Sequence, residues 1–175
     1  MIYLIPNILS EEECKFLATQ FDLEKSNTKN VDDIRATPNT FGFRPSNKFN
    51  VYLDKLKPKV LETLNITDLT NTNVYVREYK NDSFLVKHLD RTDINITMSI
   101  CLESTINKQW PLWAEIDNKN VNFNTNVGDC IILTDSDKII HWINKLICNE
   151  NERVLQFFLH WKKIDYSKKQ SKTLI

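Results

Sequence analysis

The chain has 175 residues, 41% of them hydrophobic and 26% charged, with 23 basic side chains against 23 acidic ones. That length suits one domain with a sizeable core, and the even charge balance gives no reason to expect a polyanionic partner, which makes nucleic acid unlikely as one. No segment approaches the roughly 18 uninterrupted apolar residues of a membrane span, so no membrane partner is expected either.

In chain order, "IYLIP" reads as a short strand, and Ser10 with Glu13 three positions on forms a capping box that opens a helix over about 11–21. The polar run "LEKSNTKNVDD" reads as a surface loop. A second helix is predicted over about 47–64, where Phe49, Val51, Leu53, Leu56, Val60, Leu61 and Leu64 give a broad apolar face and Pro58 is expected to kink or divide it. Beyond residue 70 the period changes to two. β-Branched and aromatic runs predict strands at 73–79, 84–89, 94–102, 110–116, 129–134, 138–144 and 153–161.

Short strands behind two helices point to an α+β, mainly β protein: a double-stranded β-helix (jelly roll) with the N-terminal helices packed on one sheet. The expected layout is a single domain over 1–175, with a helical support region at 1–70, a jelly-roll core at 71–162 and a tail at 163–175. The tail's "KKQSK" reads as a solvated end. Cys14, Cys101, Cys130 and Cys148 show no C-x-x-C spacing and read as free thiols, and the opening residues lack the basic start of a signal peptide. Both observations predict a cytoplasmic protein.

"VKHLDRTD" holds His88 and Asp90 two positions apart in a chain with three histidines. On an extended strand, residues i and i+2 share a face, so both side chains can reach one point. In "KIIHWIN", His141 follows 51 positions after Asp90 amid apolar neighbours. Two imidazoles and one carboxylate are the ligands with which a non-heme Fe(II) centre is held, leaving open positions for chemistry. Singly, each motif reads more plainly, as a surface pair and a core histidine. Arg153 begins "RVLQFFLHW", a segment too apolar to welcome an unpaired charge. It reads either as an inward guanidinium suited to a carboxylate ligand, or as an edge arginine paired with Glu150 or Glu152.

The ordered set His88, Asp90, His141, Arg153 resembles the 2-oxoglutarate and Fe(II)-dependent dioxygenases, specifically the prolyl 4-hydroxylase-like branch. "VREYKNDSFLVKHLD", "NITMSICLE", "VGDCIILTDSDKIIHWIN" and "IPNILSEEECKFL" are similar to the family's flanking segments. Two departures stand out. Asn81–Asp82 replaces the family's turn glycine, and Arg153 replaces the lysine typical of prolyl hydroxylases, which weakens proline as the inferred substrate.

The resemblance implies Fe(II) on His88, Asp90 and His141, and 2-oxoglutarate as cosubstrate clamped by Arg153 and hydrogen-bonded by Tyr79. It also implies O2 as oxidant, with ascorbate as an auxiliary reductant. The implied reaction is hydroxylation of a C–H bond with release of succinate and CO2. The expected substrate is a peptide or free amino acid. The alternatives are a nucleobase or small metabolite under the same chemistry, or a non-catalytic jelly-roll binding protein. Trp110 and Trp113 are candidate pocket walls, Trp142 is expected to point outward by alternation, and Thr97 is expected to be plain β-sheet filling. The loop 32–47, with Arg35, Arg44, Phe41 and Phe43, borders the substrate channel if the resemblance holds, and otherwise is a surface loop.

Overall fold

A computed structural model of the chain describes residues 1–164, so the expected basic tail end at 168–172 lies outside the described residues. Ser10 opens helix α1 (Glu11–Lys25): its hydroxyl accepts from the Glu13 N–H at 3.2 Å, and the Glu13 carboxylate accepts from the Ser10 N–H at 3.0 Å. The helix runs on to Lys25 instead of stopping near 21. Helix α2 (Asn47–Leu64) keeps its predicted bounds and is continuous through Pro58, whose ring lies on the exposed side. It ends at Asn65, in the left-handed conformation at φ 50°, whose N–H donates back to the Glu62 carbonyl.

Among the described residues, ten strands occur in chain order: β1 (Ile2–Ile5), β2 (Thr40–Phe43), β3 (Leu69–Tyr79), β4 (Leu85–His88), β5 (Ile96–Ser104), β6 (Leu112–Ile116), β7 (Lys119–Phe123), β8 (Cys130–Thr134), β9 (His141–Ile143) and β10 (Val154–Lys163). They form a six-stranded sheet in the order β1-β8-β5-β10-β3-β2 and a four-stranded sheet in the order β4-β9-β6-β7, with every neighbouring pair antiparallel. Two strands depart from expectation. β2 falls inside the predicted loop 32–47, and β7 is a hairpin return whose short N-V-N-F alternation lies outside the expected strands. β1 and β2, from the expected helical support region, each extend the large sheet.

Alternation divides the large sheet between two cores. Val74 and Val76 of β3, Ile96, Met98 and Ile100 of β5, and Leu155, Phe157 and Leu159 of β10 pack with Leu17 and Phe21 of α1 and Phe49 and Val60 of α2. Phe157 meets the rings of Phe49 and Tyr52 edge-on. Opposite parity turns Tyr79, Cys101 and Val154 toward the small sheet, where they meet Ile143 and Leu146. The functional space lies between the sheets on this side. Among the described residues, no helix is long and apolar enough to cross a membrane. All four cysteines are free, with Cys14, Cys101 and Cys130 buried.

Two turns lie in the left-handed region. Asp82 takes φ 67°, filling the role of the absent turn glycine. Gly128, at φ 88°, leads into β8, and a Cβ there would lie 2.6 Å from the Leu9 carbonyl oxygen. A Gly128→Ala variant should therefore lose about 1–3 kcal/mol of stability, read as a lower urea midpoint at unchanged slope.

Candidate metal centre and its chamber

His88 ends β4 and His141 begins β9, and the two are direct cross-strand partners. Their ring centroids lie 4.2 Å apart. Asp90 follows just past β4, held by its backbone N–H donating to the Ser136 carbonyl at 3.1 Å. Its Oδ1 lies 3.7 Å from Nε2 of each histidine, and the three potential ligand atoms all fall within 4.8 Å of one another. His141 is buried, while His88 and Asp90 are half-buried.

Backbone carbonyls settle which nitrogen carries each proton. Nδ1 of His88 is 3.0 Å from the Val86 carbonyl, and Nδ1 of His141 is 2.9 Å from that of Ile139. A carbonyl can only accept, so each Nδ1 is the N–H and each Nε2 offers a lone pair. Burial, with neighbouring His141 as the second cause, pushes the His88 pKa below its ordinary value and keeps that ring neutral. The far oxygen of Asp90, Oδ2, accepts from Thr97 Oγ1 at 2.6 Å. Three potential ligand atoms thus converge, an arrangement that suits a divalent cation. The donor set, two imidazoles and a carboxylate, fits Fe(II).

Thr97 goes beyond its sequence expectation. It sits on β5 and orients Asp90, a role that no local sequence pattern reveals because it depends on which strand lies beside residue 90.

His88, Asp90 and His141 line a chamber between the sheets, with Leu85, Ile131, Leu133 and Ile143 as apolar walls. At its far end Ser99 Oγ donates to Gln156 Oε1 at 2.5 Å, beside Trp110 and Thr125. An outer groove shares His88, Asp90, Phe158 and His160 with the chamber and is lined further by Asp32, Asp33, Thr37, Arg44 and Arg77. His160 stands on this common wall with its Nδ1 buried and unpartnered, and burial pushes its pKa down to about 4.

The loop before α2 does border the groove, through Asp32, Asp33, Thr37 and Arg44. The other side chains named in it do not. Arg35 is exposed and paired with Asp33, while Phe41 and Phe43 pack on the helical core. Arg77 carries no sequence signal of its role, yet its guanidinium is engaged by both Asp32 oxygens and donates to the Tyr79 hydroxyl at 3.2 Å.

Arg153 does not face the chamber. It has the parity of Leu155, Phe157 and Leu159 and emerges on the helical side. There it meets Asp22 of α1 at 2.6 Å, Glu78 of β3 at 3.1 Å and Glu103 of β5 at 2.8 Å. The expected clamp on a cosubstrate is corrected accordingly, and so is the alternative pairing with Glu150 or Glu152. Tyr79 has the inward parity but is wholly buried behind the chamber wall, edge-on to Trp110 at 4.9 Å, with its hydroxyl taken by Arg77. Its expected bond to a cosubstrate is not set up. Trp110 lines the chamber, whereas Trp113 stacks on Trp142 at 6.1 Å, away from the chamber lining.

No family model matches the chain, and no curated protein matches it in sequence. Solved structures do match in fold. A prolyl-4-hydroxylase from Pseudomonas putida superimposes at TM-score 0.71 with 12% identity, covering 93% of each chain. HygX from Streptomyces hygroscopicus, with nickel and 2-oxoglutarate bound, gives 0.70 at 14%, covering 91% of this chain and 82% of the other. A viral collagen prolyl hydroxylase from Paramecium Bursaria Chlorella virus-1 gives 0.64 at 15%, covering 93% and 96%. At such identities the likeness establishes the fold.

Two measurements separate the roles of these residues. Thr97→Val should weaken Ni(II) binding about tenfold by calorimetry while the protein stays folded, because Asp90 loses its orienting donor. Arg153→Gln should leave Ni(II) binding unchanged but cost about 2 kcal/mol in urea unfolding. The hydrogen bond from Arg153 holds the Asp22 carboxyl below its ordinary 3.8. The pair's contribution is therefore present above pH 3.8 and fades as the pH falls through the lower folded value, an acid dependence that Arg153→Gln should flatten.

Proposed function

We propose that the chain is a 2-oxoglutarate- and Fe(II)-dependent dioxygenase of the prolyl 4-hydroxylase-like branch, built on a double-stranded β-helix. It hydroxylates a C–H bond of a peptidyl or free amino-acid substrate with release of succinate and CO2. The observation that carries this reading is the convergence of three potential ligand atoms, from His88, Asp90 and His141, at the junction of a chamber between the sheets and a more open groove. The shared fold supports it, since a similar structure holds nickel and 2-oxoglutarate. Another holds a peptide fragment, and HygX has also been solved with hygromycin B bound.

Bound Fe(II) supplies the capacity to reduce O2 as the oxo acid is decarboxylated, and thereby the oxidant for an unactivated C–H bond. The chain's own residues do the rest. His88, Asp90 and His141 would occupy one face of the ion, and Thr97 fixes the Asp90 carboxylate against rotation. Leu85, Ile131, Leu133 and Ile143 keep water from the chamber that receives the oxo acid. His160 stands at the boundary where substrate in the groove would approach. Arg44, exposed at the groove, is a cation that a substrate carboxylate can meet. The same reading takes the chain as one dioxygenase domain of the cytoplasm, where its free thiols stay reduced.

The test incubates the protein with Fe(II), ascorbate, O2 and 2-oxoglutarate, together with candidate peptides and amino acids. Succinate should form, and mass spectrometry should find one substrate gaining a single oxygen. Asp90→Ala and His141→Ala should both fall to background. Tight metal binding with no consumption of the oxo acid would instead favour a non-catalytic binding protein.

A further inference from the structure

Within the proposed oxygenase, the chamber has no positive side chain with which to receive a second carboxylate. Apart from the three metal-ligand candidates and His160, which stands on the wall shared with the groove, its lining is apolar or uncharged: Thr97, Ser99, Thr125 and Gln156 supply the polar atoms. Two of the hydroxyls are committed, Thr97 to Asp90 and Ser99 to the Gln156 carbonyl oxygen. The Trp110 indole N–H is committed as well, to the Asn144 carbonyl at 2.8 Å. The Gln156 amide nitrogen and the Thr125 hydroxyl have no partner among the described residues, so the free donors at the far end are both uncharged.

The nearby cations are each accounted for elsewhere. Arg153 is on the opposite face of the large sheet, tied to three carboxylates. Arg77 faces the groove and already carries Asp32 on its fork. Lys108 lies in an adjoining open cleft, beyond Trp110 and Gln156, on an exposed loop. A carboxylate brought to the chamber's far end would lose its water and gain neutral donors alone, which is unfavourable. A carbonyl, hydroxyl or alkyl end loses far less.

We infer that this chamber, closed at its far end by the Gln156 amide and by hydroxyls rather than by a cation, accepts 2-oxo acids with uncharged tails as readily as 2-oxoglutarate or more so. The inference rests on the dioxygenase reading and concerns the second half of the cosubstrate. The pocket that a guanidinium or ammonium would make selective for a dicarboxylate is here built from an amide and hydroxyls.

Calorimetry on the Ni(II)-loaded protein tests it without relying on turnover, using 2-oxoglutarate and 2-oxopentanoate, which differ in the tail carboxylate. The two should bind within about threefold of one another, and Gln156→Arg should raise the affinity for 2-oxoglutarate relative to 2-oxopentanoate at least about tenfold. A preference of more than about thirtyfold for 2-oxoglutarate in the parent protein overturns the inference and leaves the dioxygenase reading standing. Loss of that preference in Arg77→Lys, Lys108→Gln or Arg153→Gln would then name the cation responsible. Binding of Ni(II) with no binding of either acid overturns both.

Discussion

The site depends on one register: His88 opposite His141 in the short ladder between β4 and β9. Because side chains alternate along a strand, a slip of one residue would carry one imidazole to the outer face of the small sheet and separate the pair. That outer face is itself occupied. Trp142 stacks on Trp113 there, with the Lys87 ammonium 4.2 Å from the Trp142 ring centre. The two faces of one ladder therefore reinforce the same register, aromatic packing outside and converging ligands inside. The carbonyls of Val86 and Ile139 then set the direction in which each ring presents its lone pair.

The large sheet imposes a second constraint, since both its faces are covered. Toward the helices it is closed by the main hydrophobic core, and the charges admitted there form one connected network. Arg153 joins Asp22, Glu78 and Glu103, and Lys25 reaches Glu78 at 2.5 Å. Removing one member leaves others poorly paired, so the network ties α1 to β3, β5 and β10. Toward the small sheet the charged groups gather at the groove end of the chamber, and the far end is neutral. This separation gives the molecule a charged entrance beside the candidate metal centre and an uncharged interior behind it.

Asp32 belongs to that entrance. It comes from the chain between α1 and β2, accepts from the Tyr75 hydroxyl at 2.6 Å and takes the Arg77 fork. Gly42 makes this approach achievable, because a Cβ there would lie 2.2 Å from the Tyr75 hydroxyl and 2.6 Å from the Asp32 carboxylate. The groove's mixed charges are thereby fixed by packing, and its shape follows from a glycine in an edge strand.

Much of this was legible in the residues alone. Ser10 with Glu13, the bounds of α2, and the strand segments around His88 and His141 all follow from local pattern, because capping and alternation act over a few residues. The convergence of His88, Asp90 and His141 could be anticipated too, since the H-x-D spacing puts two of them on one strand face and the third stands in an apolar strand segment. What tertiary structure decided was parity and partnership. β10 carries large apolar residues on both faces, Phe157 on one and Phe158 on the other, so its sequence alone does not say which side Arg153 takes, and the packing of Leu155 and Phe157 on the helical core settles it. Thr97 on Asp90, Gln156 on Ser99 and Arg77 on Asp32 join residues from separate strands and loops, and such pairings exist only once the sheets have closed.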